Sequence, residues 1–193
     1  MMEYGEPVEI TDQPPEGPER RVRRRYRWVI EALVIVAAAF VLALLIQQFI
    51  VKPYTIPSPS MEPTLEMGDR VLVSRLSYHF RSPRPGDIVV FDPPNLESED
   101  PYIKRVVAVT GDRVSVHDGK LYVNGIAQVE PYVKEYPIRG NFDEVVVGPG
   151  SVWVMGDNRN DSSDSRVFGE VPLGNIIGVA FAVYWPPRDI GGI

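Results

Sequence analysis

Residues 56–65 lie between a long apolar run and the first β-like segment, and they read Ile56-Pro57-Ser58-Pro59-Ser60-Met61-Glu62-Pro63-Thr64-Leu65. Three prolines fix φ and disfavour the α region in the residues before them, which predicts an extended, stiff backbone. A serine hydroxyl held beside a base, with donors aimed at a developing oxyanion, suits nucleophilic catalysis. Ser60 is therefore a candidate nucleophile and Ser58 a candidate oxyanion donor. Taken alone, the stretch also fits a Ser/Pro-rich linker.

The apolar run upstream predicts a transmembrane helix. Fifteen uninterrupted apolar residues extend from Ala32 to Ile46, and the wider span 28–51 would be about 36 Å long as a helix, enough to cross a bilayer core of roughly 30 Å. A cleaved signal would need a small-x-small site after its core, and a soluble core helix would not be apolar on every face. Both alternatives fit the run less well than a membrane anchor does.

Charge predicts the orientation of this anchor. Six arginines lie directly before Trp28, so the positive-inside rule places residues 1–27 in the cytoplasm and residues 52–193 outside it. Residues 1–19 hold six acids and four prolines, a composition typical of disorder. We expect a single-pass protein of the cell membrane, with a disordered cytoplasmic tail over 1–27, a transmembrane helix over 28–51 and an extracytoplasmic domain over 52–193.

Composition excludes several classes of protein. The 193 residues include no cysteine, which rules out disulfide scaffolds, thiolate zinc sites and cysteine nucleophiles. Residues 53–193 carry nineteen acids and thirteen bases, a balance that disfavours a nucleic-acid partner. The polar loop 156–166 fails as a calcium-binding EF-hand, because Arg159 and Phe168 occupy positions that require oxygen ligands. We expect no metal and no other cofactor.

Beyond the membrane the chain consists of short β-like segments separated by turns. Asp118-Gly119 is a two-residue hairpin signal and Asn124-Gly125 marks a second turn. We expect an all-β domain, a Greek-key or partly open barrel with mixed sheets, and a small cap or hairpin extension at about 124–143. The candidate strands cover Arg70–Leu76, Asp87–Phe91, Ile103–Thr110, Arg113–His117, Lys120–Val123, Glu144–Val147, Val152–Met155 and Ile176–Tyr184.

A proton acceptor for Ser60 is the next requirement. His79 and His117 are the two histidines, and neither lies in a triad motif. In the strand that begins near Tyr102, alternation places Lys104 on one face with Tyr102, Val106 and Ala108. Desolvation on such a face lowers a lysine pKa toward 7 or 8, so that the neutral amine can act as a base. Lys104 is therefore the favoured base, although an arbitrary lysine at this position would more often be exposed.

Four motifs in order resemble those of bacterial type I signal peptidases. The family's serine motif, P-S-x-S-M-x-P-T-L, matches every specified position from Pro57 to Leu65, and Pro59 departs from the glycine that many members carry. The other three motifs correspond to Gly68–Val73, to Lys104–Ala108 with Gly111-Asp112, and to Gly156–Arg166. The resemblance implies a serine endopeptidase with a Ser60–Lys104 dyad and an oxyanion hole formed by the Ser60 amide and the Ser58 hydroxyl.

The resemblance also implies roles for residues around the dyad. Ser162 matches the serine that orients the catalytic amine, and a charged scaffold behind the site is implied for Asp157, Arg159, Asp164 and Arg166. A shallow apolar pocket for a small side chain is implied for Ile56, Pro57, Met61, Leu65, Tyr102 and Ile103. The substrates implied are exported preproteins, bound as extended strands and cut after an Ala-x-Ala-like site.

Two other classes stay open at this stage. A non-catalytic, membrane-tethered β-domain would explain the anchor and the sheet but not the ordered serine, lysine and polar-loop motifs. A self-cleaving Ser-Lys regulator of the LexA type shares the dyad chemistry, yet it would carry a DNA-binding helical domain in place of the apolar run. A mitochondrial inner-membrane peptidase would be a variant of location within the same wider family.

Overall fold

The computed structural model describes residues 18–95 and 100–193. Residues 1–17, most of the predicted tail, lie outside this part of the chain. Helix α1 extends from Pro18 to Phe49, so it begins well before residue 28 and includes the arginine cluster. Arginine is a good helix former and a nucleated helix propagates readily, which explains the earlier start. Within α1, Tyr26–Leu44 is long and apolar enough to cross a bilayer, with a mean hydropathy of 2.2.

The remaining described chain is mostly β, as predicted. Two single-turn helices, α2 (Ser77–Phe80) and α3 (Ser165–Phe168), interrupt it. The strands in chain order are β1 Val51–Thr55, β2 Arg70–Ser74, β3 Ile88–Phe91, β4 Tyr102–Val109, β5 Arg113–His117, β6 Lys120–Val123, β7 Ile126–Ala127, β8 Phe142–Val146, β9 Ser151–Met155, β10 Val171–Pro172, β11 Ile176–Trp185 and β12 Gly191–Gly192.

These strands form two sheets. The larger has the order β1-β2-β11-β3-β4-β9-β10, with β12 paired to β11, and the smaller has the order β7-β6-β5-β8. The larger sheet is open, because β1 and β10 are its two ends. Every strand pair in the described residues is antiparallel, in contrast to the mixed sheets predicted from the sequence. The predicted bounds of β5 and β6 are confirmed, and the other predicted strands differ by one or two residues at one or both ends.

Strand β1 was missed because Lys52 and Pro53 interrupt its apolar pattern. An edge strand tolerates such residues, since one of its sides has no ladder to make. The predicted extension near 124–143 contains β7 and the start of β8, which enlarge the smaller sheet. Face alternation along β4 holds for Tyr102 and Val106, which pack in the same apolar cluster, but Ala108 packs in another. A register shift between Val106 and Ala108 explains this difference.

Three buried apolar clusters fill the β domain. The first core cluster includes Met61, Leu65 and Ile103, the second lies between the two sheets, and the third includes Phe91 and Phe168. Strand β3 is buried along its whole length, with Ile88 and Val90 in the first cluster and Val89 and Phe91 in the third. Its continuous apolar sequence thus reflects a strand covered on both faces.

Gly178 permits a close approach of β11 to β2, which yields a prediction about stability. A Cβ at this position would lie 2.4 Å from the main-chain oxygen of Ser74 and 2.8 Å from Val73 Cγ1. We expect Gly178→Ala to lower the free energy of unfolding by about 1–3 kcal/mol, because backbone atoms must move. Urea unfolding followed by tryptophan fluorescence would measure the change. Gly174→Ala is the control, since its Cβ would meet nothing within 4 Å, and equal stability of the two variants would contradict the prediction.

Candidate active site

Ser60 lies in a short turn that buried apolar side chains attach to the core. Residues Pro59–Met61 form one turn of 3₁₀ helix, so the extended backbone predicted for this stretch is wrong at its centre. Proline is compatible with the first position of a helical turn because its φ is already near the helical value. Met61 and Leu65 are fully buried in the first core cluster. Their burial fixes the turn and leaves the Ser60 hydroxyl beside Lys104.

Lys104 reaches Ser60 from strand β4. Its Nζ atom donates to Ser60 Oγ at 2.8 Å and to the main-chain oxygen of Ile103 at 2.8 Å, and the residue is 4% exposed. Burial lowers the pKa of Lys104 from 10.5 to about 8, against the opposing charges of Asp164 and Asp157. Removing an ammonium group from water disfavours its charged form, so a useful fraction of the amine is neutral near neutral pH.

Ser58 also lies next to the nucleophile candidate. Its Oγ atom is 3.2 Å from Ser60 Oγ, and the residue is partly exposed. The two histidines lie elsewhere: His79 is exposed in α2, and His117 stacks on Tyr122 in the smaller sheet. Neither histidine is hydrogen-bonded to Ser60 in the part of the chain that the structure describes. The geometry therefore favours the lysine over a histidine as the neighbouring base.

Two buried carboxylates flank the lysine, each held by an arginine. Asp157 accepts two hydrogen bonds from Arg105, at 2.8 and 2.6 Å, and a third from the hydroxyl of Thr64. Asp164 accepts two from the Arg166 guanidinium, both at 2.8 Å, one from the Arg166 main-chain N–H at 3.2 Å and one from the Gly156 amide at 3.0 Å. The loop that carries both acids follows β9, which pairs with β4. Sheet pairing thus places this loop beside Lys104.

The pairing of charges differs in part from what the sequence suggested. Arg159 pairs with Glu130 at 2.6 and 2.7 Å and contacts neither aspartate through an ion pair. Arg105, the residue after Lys104 in β4, is the partner of Asp157. Neither Glu130 nor Arg105 stood out in the sequence, because each partner lies far along the chain. Only the three-dimensional fold brings these residues together.

Ser162, the predicted lysine-orienting residue, has a different environment from the one expected. Its Oγ atom is buried and has no hydrogen-bond partner among the described residues. Lys104 Nζ donates to Ser60 Oγ and to the Ile103 main-chain oxygen instead. A Cβ built on Gly156 would lie 2.3 Å from Ser162 Oγ and 2.4 Å from the Ser60 main-chain oxygen. Gly156 therefore separates the two serines, and the orienting role of Ser162 stays a prediction.

The predicted pocket residues divide into two groups. Ile56, Met61, Leu65 and Ile103 belong to the first core cluster, and Met61 and Leu65 have no exposed surface. Pro57 is exposed and Tyr102 is partly exposed. Met61 and Leu65 therefore cannot touch a bound peptide in this conformation, because other side chains cover them. They support the site from inside the core.

Comparison with known proteins identifies the family. Residues 28–185 match the family model described as "Signal peptidase, peptidase S26". The chain belongs to the S26 signal peptidase family. It is a serine peptidase of this family, which excludes the non-catalytic tethered domain considered above. The matched region begins inside α1 and includes the serine turn, β4 and the loop 156–166.

Relatives in this family cover most of the chain. A protein of Synechocystis sp. named "Probable signal peptidase I-1" is 45% identical over 172 residues, covering 86% of this chain and 87% of that protein. "Signal peptidase I" of Leptolyngbya laminosa is 39% identical over 184 residues, covering 92% and 90%. "Probable thylakoidal processing peptidase 2, chloroplastic" of Arabidopsis thaliana is 40% identical over 192 residues, covering 96% and 52%.

The contacts of Gly156 lead to a second prediction. Gly156→Ala must displace the Ser60 main chain or Ser162, because the new Cβ would overlap both. A displacement of about 1 Å at a reacting group can cost roughly 10²-fold in rate. We expect peptidase activity to fall by about that factor while circular dichroism shows a folded protein. Gly174→Ala serves again as the control, and full activity of Gly156→Ala would contradict the tight packing of these two serines.

Proposed function

We propose that this chain is a membrane-anchored signal peptidase that removes signal peptides from exported preproteins, with Ser60 as nucleophile and Lys104 as general base. The observation that carries the proposal is the 2.8 Å contact between Lys104 Nζ and Ser60 Oγ at a buried position. In its neutral form the amine accepts the Ser60 proton through this contact. The family relationship supports the substrate class, since two of the relatives named above are called signal peptidase I.

The mechanism uses groups of the chain alone. As Ser60 Oγ bonds to the scissile carbonyl carbon, its proton moves to Lys104 Nζ and negative charge develops on the carbonyl oxygen. The Ser60 amide and the Ser58 hydroxyl stabilise that oxyanion. Collapse of the intermediate breaks the peptide bond, and Lys104 gives the proton to the leaving amine. Water, deprotonated by the neutral Lys104, then hydrolyses the acyl-enzyme and releases the signal peptide.

Substrate binding follows from the exposure of the residues around Ser60. Pro57 and Tyr102 are accessible, so they are the residues of the predicted pocket that can touch the peptide. Ile56 and Ile103, their neighbours in sequence, are buried with little exposed surface, and Met61 and Leu65 are fully buried. An extended peptide with small residues at the first and third positions before the cut, as in Ala-x-Ala, fits such a shallow apolar surface. Within this proposal the lysine is oriented by Ser162, and the dyad is supported by the charged residues Asp157, Arg159, Asp164 and Arg166.

The location proposed is the cell membrane. The apolar segment Tyr26–Leu44 spans the bilayer once, and the arginines before Trp28 keep the N-terminus in the cytoplasm. The β domain then faces the extracytoplasmic side, where exported preproteins emerge. The excess of acids over bases in this domain argues against a nucleic-acid partner.

Cleavage of a preprotein with an Ala-x-Ala site, in detergent or liposomes, tests the dyad. We expect the wild type to cut after the second alanine, and Ser60→Ala and Lys104→Ala to lose the activity because each removes one reacting atom. Ser163→Ala and Lys120→Ala are matched controls, since both side chains are exposed. Undiminished cleavage by Lys104→Ala would refute the base assignment, and no cleavage by folded wild type would refute the substrate class.

The pH dependence of kcat/KM gives an independent test. Only the neutral amine can accept the serine proton, and the pKa of Lys104 is lowered to about 8. We therefore expect kcat/KM to rise about tenfold per pH unit below pH 8 and to level off above it. An acid limb centred near pH 6.5, about the ordinary pKa of imidazole, would point to a histidine instead.

A further inference from the structure

The segment 130–136 contacts the loop 156–166 through the buried carboxylate of Glu130. Glu130 is 6% exposed and accepts both Arg159 guanidinium bonds, at 2.6 and 2.7 Å. Tyr132 and Tyr136 donate their hydroxyls to the same carboxylate, at 2.9 and 3.3 Å. Four donors thus converge on one side chain, so its orientation is fixed.

Arg159 transmits this constraint to the serine turn. It is 1% exposed, and its Nε atom donates to the main-chain oxygen of Gly156 at 2.9 Å. Gly156 is the residue that lies against the Ser60 main chain and Ser162 Oγ. The neighbouring Asn158 donates its main-chain N–H to the Ser60 main-chain oxygen at 3.1 Å. A fixed Arg159 therefore fixes the peptide that borders the nucleophile.

The same segment also contacts the Arg105–Asp157 pair and the residue that follows the serine turn. The Tyr132 ring lies under the Arg105 guanidinium, 4.0 Å from its carbon to the ring centroid, and Arg105 holds Asp157. The Lys134 amide donates to the main-chain oxygen of Asp157 at 3.0 Å. Lys134 Nζ also pairs with Glu62, two residues after the nucleophile, at 2.6 Å. Segment 130–136 therefore joins the serine turn, strand β4 and the loop 156–166.

We propose that Glu130 is a positioning residue for the Ser60–Lys104 reaction, acting through Arg159 on the Gly156 peptide and, with Tyr132, on the Arg105–Asp157 pair. This inference rests on the function proposed above. A buried ion pair alone adds little to stability compared with apolar residues of the same volume. Here the pair joins two segments that both border the dyad, which is what a positioning role requires.

The experiment compares Glu130→Gln with wild type in the preprotein assay, with kcat, KM and the pH profile measured on the full chain. We expect kcat to fall by about 10²-fold, the effect of a small misplacement of reacting groups, with KM near the wild-type value because the peptide surface is untouched. The acid limb should move to lower pH, since the unpaired Arg159 cation disfavours protonation of Lys104. Glu144→Gln is the matched control, because its pair with Arg113 is exposed.

Two aromatic variants keep the proposal testable if Glu130→Gln does not fold. Tyr132→Phe keeps a ring under Arg105, and Tyr132→Leu removes it. We expect kcat to be largely retained in the phenylalanine variant and reduced in the leucine variant. A wild-type kcat in both variants would overturn the role of the segment. So would a Glu130→Gln protein that melts at lower temperature but keeps a wild-type kcat and pH profile.

The test of the Ser60–Lys104 dyad and the test of Glu130 can fail independently. If Ser60→Ala or Lys104→Ala still cleaves the preprotein, the assignment of that residue to the dyad fails, whatever Glu130→Gln does. If both dyad variants are inactive and Glu130→Gln matches the wild type at every pH, the dyad stands and the positioning role is refuted.

Discussion

The site depends on the burial of one amine. Lowering the pKa of Lys104 from 10.5 to about 8 means that the charged amine is disfavoured by roughly 3 kcal/mol relative to water. The effect of this cost on folding stability depends on pH. Below about pH 8 the amine is charged in both the folded and the unfolded protein, so the folded protein carries the cost in full. The cost falls as the pH rises from 8 to 10.5, and it is lost once the unfolded chain is also deprotonated. A stable fold must therefore offset the cost elsewhere, as active sites commonly require.

The fold supplies that burial through the order of its strands. Strand β4 lies between β3 and β9 in the larger sheet, so the lysine has a neighbouring strand on both sides. Met61 and Leu65 pack in the first core cluster and so fix the position of the serine turn. Pairing of β9 with β4 directs the loop 156–166 back over the lysine. Three distant parts of the chain thus meet at one amine, and none of them could exclude water alone.

Sequence patterns predicted the parts of the structure that local rules govern. Strands β5 and β6 were predicted with correct bounds because alternating residues flank an Asp118-Gly119 turn. Resemblance to the family's ordered motifs, and not a local rule, pointed to Ser60 and Lys104. The 3₁₀ turn at Pro59–Met61 was missed because proline restricts φ without choosing between a turn and an extended strand. The Glu130–Arg159 pair was missed because its members are 29 residues apart and Glu130 lies in an irregular stretch without a period. Tertiary packing, rather than propensity, decides these features.

The two aspartates near Lys104 act in the proposed mechanism through their field and not as proton acceptors. Both oxygens of Asp157 are occupied by Arg105 and Thr64, and both oxygens of Asp164 by Arg166 and the Gly156 amide. Lys104 Nζ donates to Ser60 and Ile103 and to neither of these carboxylates among the described residues, and neither carboxylate is hydrogen-bonded to the Ser60 hydroxyl. Burial favours the neutral amine at rest, while the fixed negative charges stabilise the ammonium that forms as Ser60 attacks. In the neutral, reactive form of the amine that charge develops as Ser60 attacks, so the fixed carboxylates lower the barrier for this form, while burial keeps the pKa of Lys104 near 8 and so keeps the form populated.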